Sequence, residues 1–332
     1  MSDSSVPYGL AGKRVWVAGH GGMVGSALLR RLSREDCTLI TATRNDADLR
    51  RQTEVERFVA EVRPQAIFLA AARVGGIVAN DLRPASFLYD NMMIAANVIE
   101  AARNFGVEKL VNLGSTCVYP KFAPQPIPED ALLTGPLEPT NQWYAIAKIA
   151  AIKLCDAYRR QHGCDFISAM PTNLYGPNDN FDLEASHVIP ALIAKMAQAK
   201  DEGRKDVVLW GTGTPRREFL HVDDCADALV HLMVHFSGEG PVNVGVGQDV
   251  TIRELAETIA GIVGFSGRLV FDSSKPDGTP RKLTDVTRLR ALGWSAHIPL
   301  AGGLAQTYTW FQENRSSLRR TGLEPQAAEA RG

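Results

Sequence analysis

The chain has 332 residues but only five cysteines, an odd number without any Cys-x-x-Cys spacing. Neither a disulfide framework nor a cysteine-based zinc site is therefore expected, and a reducing compartment, the cytoplasm, is predicted. No apolar run reaches the roughly 18 residues that suggest a membrane span. The first twelve residues lack the basic region and apolar core of a signal peptide, so none is predicted.

Charge of either sign is not in excess. The sequence carries 36 Lys and Arg against 37 Asp and Glu, a formal net charge of -1, and it has no long basic run. Nucleic acid and anionic membranes are therefore not expected as partners. At this length a single large domain or two interlocked domains are possible.

Short apolar runs alternate with helical patterns through the first half of the chain. Continuous apolar strands separated by helices are typical of a parallel sheet covered on both faces. The sequence therefore predicts an α/β fold with a Rossmann-type doubly wound parallel sheet. The expected strands are 13–19, 37–44, 65–72 and 109–115, and the expected helices include 53–62 and 87–106.

After about residue 172 this rhythm breaks, and the polar, Gly- and Pro-containing stretch 173–187 is predicted as irregular loop. A smaller, C-terminal substrate-binding lobe is expected beyond it. Predicted elements are a helix at 188–199, a strand at 207–211, a helix capped by Asp223 or Asp224, a strand at 241–245 and a helix with a Thr251–Glu254 capping box. The predicted division is 10–172 plus 217–245 for the Rossmann domain, 173–216 plus 246–312 for the smaller lobe, and 313–332 for a polar tail.

Three glycines, Gly19, Gly22 and Gly25, form a G-x-x-G-x-x-G between the first strand and a helix. Glycine permits a tight turn and a close approach of the backbone to a pyrophosphate at the positive helix N-terminus. This context predicts dinucleotide binding, although the bare pattern also occurs in turns that need glycine only for packing.

The residues after the second strand bear on the choice of nicotinamide. A carboxylate there would bond the ribose diol of NAD, whereas an arginine would meet the 2′-phosphate of NADP. The sequence has Arg44 and no preceding carboxylate, which favours NADP(H), unless Arg44 is simply a solvated cation. Asp48 and Leu49 follow and are expected at the edge of the adenine pocket.

Tyr144 and Lys148 are four residues apart and share one face of a helix. The ammonium is expected to lower the pKa of the phenol, which would protonate a carbonyl oxygen. Ser115 ends the fourth predicted strand, at the sheet edge where ligands bind, and is expected to bond the same oxygen. Glycine loop, serine and Tyr-x-x-x-Lys together predict a reductase.

These motifs resemble the extended short-chain dehydrogenase/reductase family, which modifies nucleotide sugars. Longer stretches, over roughly 13–312, resemble the members that epimerise carbons 3 and 5 of a GDP-4-keto-6-deoxy sugar and reduce carbon 4 with NADPH. The resemblance implies a homodimer that pairs through the helix near 87–104 and the Tyr-x-x-x-Lys helix. The family commonly has Arg where this chain has Gly21, which leaves Arg44 alone beside the 2′-phosphate. The similar stretches are 70–80, 137–155, 171–181, 186–193, 213–224 and 274–289.

Epimerisation needs two proton-carrying groups near neutral pH, and Cys and His have suitable pKa values. A Cys after a strand is more often a small buried hydrophobe, and a lone His is more often structural. The resemblance implies Cys117 as base and His187 as acid, an assignment that could reverse.

The resemblance also implies further contact residues. A sibling enzyme acting on a 3-deoxy sugar, a simple 4-epimerase holding NAD, and a non-catalytic NADP-binding sensor are the alternatives. Expected cofactor contacts are Met23, Val24, Ala71, Lys148, Pro171, Asn173, Leu174 and His187, and expected substrate contacts are Asn173, Lys195, Trp210, Arg217, Lys275 and Asp277.

Overall fold

The computed structural model describes residues 7–182, 186–275, 277–316 and 318. The strands are β1 Arg14–Ala18, β2 Thr38–Ile40, β3 Ala66–Leu69, β4 Lys109–Leu113, β5 Asp165–Pro171, β6 Asn173–Tyr175, β7 Asp206–Trp210, β8 Arg216–Arg217, β9 Phe219–His221, β10 Val242–Val244, β11 Val250–Thr251, β12 Arg268–Asp272 and β13 Arg281–Lys282. The helices are α1 Met23–Leu32, α2 Gln52–Val62, α3 Ile77–Leu82, α4 Pro84–Asn104, α5 Gln142–His162, α6 Val188–Asp201, α7 Val222–His235, α8 Ile252–Val263, α9 Thr287–Ala291 and α10 Leu300–Asn314.

Six strands form one sheet in the order β10-β5-β4-β3-β1-β2, and every neighbouring pair is parallel. Strand β2 lies on one side of β1. The chain then crosses to the other side of β1, where β3, β4, β5 and β10 follow in that order. Ligands bind at the carboxyl ends of the strands beside such a reversal. The predicted α/β fold with a doubly wound parallel sheet is confirmed.

Helices cover both faces of this sheet because its strands are apolar on both sides. On one face α1 and α7 contribute buried residues such as Leu28 and Leu229. On the other, α2 and α4 contribute Phe58 and Ile99. Burial of each such side chain stabilises the fold by about 1.5–3 kcal/mol.

A second apolar cluster joins α6, α8 and α10 to the short strands that follow β5. It includes Ile193, Leu255 and Phe311. Leu289 and Trp294, which fall within the predicted smaller lobe, pack instead into the core of the six-stranded sheet. The domain boundaries themselves stay a prediction.

Two predicted elements differ from the structure. Strand β2 ends at Ile40, so Arg44 lies in a turn beyond the strand rather than at its end. Residues 173–187 are not wholly irregular, because Asn173–Tyr175 forms β6 and pairs in parallel with β9. Both errors concern three-residue strands, whose length is decided by partners distant in sequence.

The predicted caps of α7 were also wrong. His221 occupies the N-cap position, and its Nδ1 accepts from the backbone of Asp223 at 3.3 Å. The carboxylate of Asp224 instead accepts from the backbone N–H groups of His297 and Ile298, at 3.0 and 2.8 Å. Asp224 therefore holds a distant segment rather than its own helix.

The Thr251–Glu254 capping box of α8 is confirmed, with the two reciprocal bonds at 3.0 and 2.7 Å. Helix α10 extends to Asn314, into the predicted polar tail, most of which lies outside the described residues. None of the helices in the described ranges combines the length and the apolar character needed to cross a bilayer.

Candidate active site

The glycine loop brings β1 and the start of α1 into very close contact. Gly19 has φ +89°, and a Cβ there would lie 2.6 Å from the backbone of Ala71, which follows β3. A Cβ on Gly25 would lie 2.1 Å from the carbonyl oxygen of Gly19. Only glycine fits at these two positions. Gly22 precedes α1 and Met23 begins it, so the helix N-terminus opens directly from this loop.

The predicted 2′-phosphate and adenine contacts lie around the turn after β2. Arg44 is exposed there. A Cβ on Gly21 would meet no atom within 4 Å, so the position of the missing arginine is open. Asp48 is held by the guanidinium of Arg50, whose hydrogen bonds lower the pKa of that carboxyl to about 2. Leu49 accepts a hydrogen bond from a side chain of α4 through its carbonyl oxygen.

Three more predicted cofactor contacts, Pro171, Asn173 and Leu174, lie at or just beyond the carboxyl end of β5. Pro171 ends that strand beside Val244 of β10. The Asn173 amide donates to the carbonyl oxygen of Glu218 at 2.8 Å, which fixes its orientation. Leu174 packs against the core of the sheet, as Val24 of α1 also does.

Cys117 lies in a short 3₁₀ turn, Thr116–Val118, just beyond the end of β4, and Ser115 immediately precedes that turn. Ser115 is its N-cap, and its Oγ accepts from the backbone N–H of Cys117 at 3.4 Å. The turn therefore sets both side chains at the carboxyl edge of the sheet and beside one another.

Lys148 lies on α5 and is 7% exposed. Its Nζ donates to the carbonyl oxygen of Leu113, the last residue of β4, at 2.7 Å. It lies 5.8 Å from the centroid of the Tyr144 ring. Burial lowers the pKa of Lys148 to about 8, with the charge of Cys117 opposing that shift.

The expected lowering of the phenol's pKa is not found. Burial raises the pKa of Tyr144, and Cys117 adds to the rise. The ammonium of Lys148 is directed to Leu113 and its own pKa is low, so its effect on the phenol is weak. In this arrangement Tyr144 is a proton donor rather than a phenolate.

Cys117 is buried, and this burial raises the pKa of its thiol. Four interactions oppose the rise, the largest being the charge of the Lys282 ammonium, followed by a hydrogen bond with Ser115, the charge of Lys148 and a backbone hydrogen bond. The cysteine belongs to a small apolar cluster, but it also has polar and cationic neighbours, which an inert core thiol lacks.

His187 immediately precedes α6, at its N-cap position. Its side chain is exposed, yet the surrounding protein displaces enough water to lower the pKa of the imidazole. The Lys282 ammonium is the second cause. Both predicted proton carriers are therefore under the influence of one lysine.

Four of the predicted substrate residues, Trp210, Arg217, Lys275 and Asp277, lie on or beside the short strands β7, β8 and β12, and we call this group the polar wall. Burial lowers the pKa of Arg217, and Asp277 opposes that shift. Asp277 itself accepts from the backbone and hydroxyl of Thr212, at 2.7 and 2.9 Å. The Nζ of Lys275 lies 5.6 Å from the centroid of the Trp210 ring, which is 65% exposed.

Lys195 of α6 is the last of the predicted substrate contacts. Its Nζ donates to the carbonyl oxygen of Val208 at 3.3 Å, on the same strand as Trp210. Burial lowers the pKa of its ammonium.

Two residues that the sequence did not single out are central to this wall. Lys282 acts on both Cys117 and His187. Glu218, fully buried, accepts four hydrogen bonds, two from the backbones of Val246 and Gly247 and two from Thr284. Both residues lie in stretches that carry the family resemblance, and this was the only available signal.

The chain is similar in sequence and in fold to known proteins. Residues 15–245 match the NAD dependent epimerase/dehydratase family. A GDP-L-fucose synthase from Sinorhizobium fredii is 58% identical over 92% of this chain and 98% of that protein. A GDP-L-colitose synthase from Yersinia pseudotuberculosis is 40% identical over 92% of this chain and 99% of that protein. The structure of a GDP-L-fucose synthetase from Naegleria fowleri bound to NADP is 31% identical, with TM-score 0.88 over 95% of this chain and 99% of that one.

Proposed function

The chain belongs to the NAD dependent epimerase/dehydratase family, and from this premise we propose that it converts GDP-4-dehydro-6-deoxy-D-mannose to GDP-L-fucose with NADPH. The observation that carries the proposal is the placement of Ser115 and Cys117 at one turn beside Tyr144 and Lys148. A reductase needs the serine, tyrosine and lysine, and the cysteine adds a group for carbon-acid chemistry. The high identity to a GDP-L-fucose synthase supports the choice of sugar.

The residues present fit a bound NADP(H). The close contact of Gly19 and Gly25 with the neighbouring backbone leaves room for a pyrophosphate at the N-terminus of α1. Arg44 and the residues after it would receive the 2′-phosphate and the adenine. The chemistry that the dinucleotide contributes is hydride donation to carbon 4 of the sugar.

Epimerisation comes first and uses the C4 ketone. Cys117, as thiolate, removes the proton from carbon 3 or carbon 5, and the electron pair moves to the ketone oxygen to give an enolate. Tyr144 and Ser115 donate hydrogen bonds to that oxygen. His187 returns a proton to the opposite face of the same carbon, and the C4 ketone re-forms.

Reduction follows at the same carbonyl. Tyr144 transfers its proton to the C4 oxygen as the hydride arrives, and Ser115 holds that oxygen in place. The raised pKa of the phenol keeps the transferable proton on Tyr144 before the reaction. Lys148 would bond the nicotinamide ribose and so hold the cofactor beside the phenol.

The nucleotide end of the substrate is assigned to the wall beyond the sheet. Arg217 offers a planar fork of donors for the pyrophosphate. Trp210, exposed and flanked by Lys275, offers an aromatic face for the base. Asn173, Lys195 and Asp277 complete the proposed contacts.

We also assign the protein to the cytoplasm as a homodimer. All five cysteines are free thiols, which suits a reducing compartment. Helices α4 and α5 pack together and leave large apolar side chains exposed, which a second copy would cover. These side chains are Tyr89, Met92, Trp143 and Ile146. Sedimentation equilibrium that finds only a monomer contradicts the dimer.

The decisive experiment supplies GDP-4-dehydro-6-deoxy-D-mannose and NADPH in deuterated water and identifies the product by NMR. GDP-L-fucose with deuterium at carbons 3 and 5 is expected. Protium retained at both carbons would refute epimerisation. The Cys117→Ser protein should reduce some substrate to an unepimerised sugar, so a normal yield of GDP-L-fucose from it would disprove the role of base.

The sibling reaction on a 3-deoxy sugar is tested in the same assay. The lower identity to the GDP-L-colitose synthase predicts that the 4-keto-3-deoxy sugar turns over more slowly than its 3-hydroxy counterpart. Faster turnover of the 3-deoxy sugar would reverse this assignment. A simple 4-epimerase would release product without consuming NADPH.

A further inference from the structure

Lys282 is placed at the site by strand pairing. It is the second residue of β13, which lies parallel to β8 with Lys282 in register with Arg217. Its carbonyl oxygen accepts from the backbone of Glu218 at 3.3 Å. The lysine is thus a direct neighbour of the residue assigned to the pyrophosphate.

The strand is also tied to the chain that follows Cys117. Ile127 donates its backbone N–H to the carbonyl oxygen of Leu283 at 2.8 Å, and Leu283 donates to the side chain of Gln125 at 2.9 Å. On the other side, Thr284 is held by the buried carboxylate of Glu218. The backbone at Lys282 is therefore fixed relative to both the chain that follows Cys117 and the strand that carries Arg217.

Neighbouring residues of a strand point to opposite sides. Arg281 points outward and pairs with Asp249, a carboxylate that also holds Arg216. Lys282 points the other way, towards the catalytic groups. Its charged and titratable neighbours are Cys117, Arg217 and Glu138.

The single carboxylate in that set is already engaged. Glu138 accepts from the backbone and hydroxyl of Thr140, both at 2.9 Å, and pairs with Lys121 at 3.6 Å. Cys117 faces Ser115, Lys148 and Tyr144 in addition to Lys282, and His187 faces Lys282. The ammonium of Lys282 is thus free to respond to a charge on the cysteine.

We propose that Lys282 is the counter-ion of the Cys117 thiolate and so a positioning residue for the base of epimerisation. The inference rests on the proposed function for its catalytic meaning, but the ion pair itself does not depend on the identity of the sugar. A cation beside a thiol favours the ionised form. The Lys282 ammonium thereby offsets part of the rise in the pKa of the thiol that burial causes.

The same ammonium also lowers the pKa of His187. For the cysteine this favours the charged form, the thiolate, whereas for the histidine it disfavours the charged form, the imidazolium. An imidazolium with a lowered pKa is a stronger acid and gives up its proton more readily to the enolate. Removing the charge of Lys282 should therefore raise the pKa of both proton carriers. Both limbs of the pH profile of epimerisation should move to higher pH.

The test is the pH dependence of Cys117 alkylation by iodoacetamide in the full-length protein without sugar, followed by mass spectrometry of the Cys117 peptide. In Lys282→Met the midpoint should rise by about one pH unit, and Lys282→Arg should restore most of the difference. Arg281→Met is the matched control, since it removes the adjacent cation from the outer side of the same strand. Its midpoint should equal that of the unaltered protein.

An unchanged alkylation midpoint in Lys282→Met would overturn the proposal. A rise that Arg281→Met reproduces would also overturn it, because the effect would then be one of general charge or folding. Circular dichroism and thermal melting of each variant identify a folding defect. Failure of the fucose assay with an intact alkylation shift would refute the sugar and not the ion pair.

Discussion

Two buried lysines lie at opposite ends of β4, and they differ in what surrounds them. Lys109 begins the strand, donates to the carbonyl oxygen of Phe236 at 2.7 Å and pairs with Asp165 at 3.0 Å. Lys148 donates to Leu113 at the other end, and no ion pair joins it to a carboxylate in the part of the chain that the structure describes. Burial lowers the pKa of both, but only for Lys109 does a carboxylate oppose the shift.

The contrast separates a structural charge from a functional one. A buried ion that has its partners stabilises one conformation, whereas a buried ion without a carboxylate partner is kept in spite of its desolvation. At the carboxyl edge of the sheet, the proposed catalytic role of Lys148 therefore comes with a cost in stability. The amino edge, only one strand length away, is ordinary framework.

The largest effect is expected for Lys148, the lysine at the carboxyl edge. Lys148→Met should lower kcat for C4 reduction by ~10²–10⁴-fold, because the ammonium proposed to bond the nicotinamide ribose is lost. Its melting temperature should stay the same or rise, since a desolvated charge without a carboxylate is removed. Steady-state kinetics with NADPH and calorimetry on the same preparation measure both. Retention of more than roughly a tenth of kcat would contradict the assignment.

The next prediction concerns Asp179, in the loop that leads to His187. Burial raises the pKa of its carboxyl to about 7, opposed by the backbone N–H of Asn180, and its Oδ2 has no hydrogen-bond partner. Between about pH 4 and pH 7 the folded state thus binds the extra proton, so stability falls as pH rises. Asp179→Asn should be more stable than the unaltered protein by about 2–4 kcal/mol at pH 8, and equal to it near pH 4.

Urea unfolding at the two pH values checks this prediction. A stability difference that does not change with pH would show that Asp179 is not protonated in the folded state. Asp165→Asn, at the amino edge, is the contrasting variant. It should be destabilised at pH 8, because Asp165 is a partner of Lys109 and Arg159.

A smaller effect is expected for Lys109, the lysine at the amino edge of the sheet. Lys109→Met should lower the free energy of unfolding by roughly 1–3 kcal/mol, since Asp165 loses one partner but keeps Arg159. The kcat should be unchanged. Lys13→Met, which removes a partly exposed partner of Glu108 at the same edge, should cost less than about 1 kcal/mol. A Lys109 variant with normal stability and impaired turnover would erase the distinction between the two edges.

The smallest effect comes from adding a charge to the carboxyl edge. A side chain at Gly21 would enter open space, and its backbone is outside the left-handed region. Gly21→Arg should lower KM for NADPH by up to about tenfold through a second contact with the 2′-phosphate. The KM for NADH should not change, and an equal gain with NADH would show that the arginine does not reach that phosphate.

The order of strands and helices along the chain could be predicted because the sequence pattern that indicates each element is local. Strands β1, β3 and β4 are continuous apolar runs, and the structure places each within a few residues of its predicted bounds. The glycine loop followed from the strand before it and the helix after it. The ends of β2 and the existence of β6 were missed, since three-residue strands depend on partners elsewhere in the chain.

The site shows the same limit at the level of side chains. Tyr144 and Lys148 are recognisable because helical spacing puts them on one face. Lys282 has no such pattern, and a lysine between Arg281 and Leu283 looks like a surface residue. Its position follows only from the pairing of β13 with β8, two strands of two residues each. The pKa of Tyr144 was mispredicted for a related reason, because the direction of the Lys148 ammonium depends on Leu113.

Glu218 has a practical consequence for protein engineers who recombine members of this family. Its carboxylate fastens Thr284 and the Val246–Gly247 backbone to one point. In a chimera whose crossover separates any of these segments, the buried carboxylate of Glu218 comes from one parent and its hydrogen-bond donors come from the other. Crossovers placed outside them move β8, β13 and their shared acid as one cassette, which carries Arg217 and Lys282 to the new host in their working arrangement.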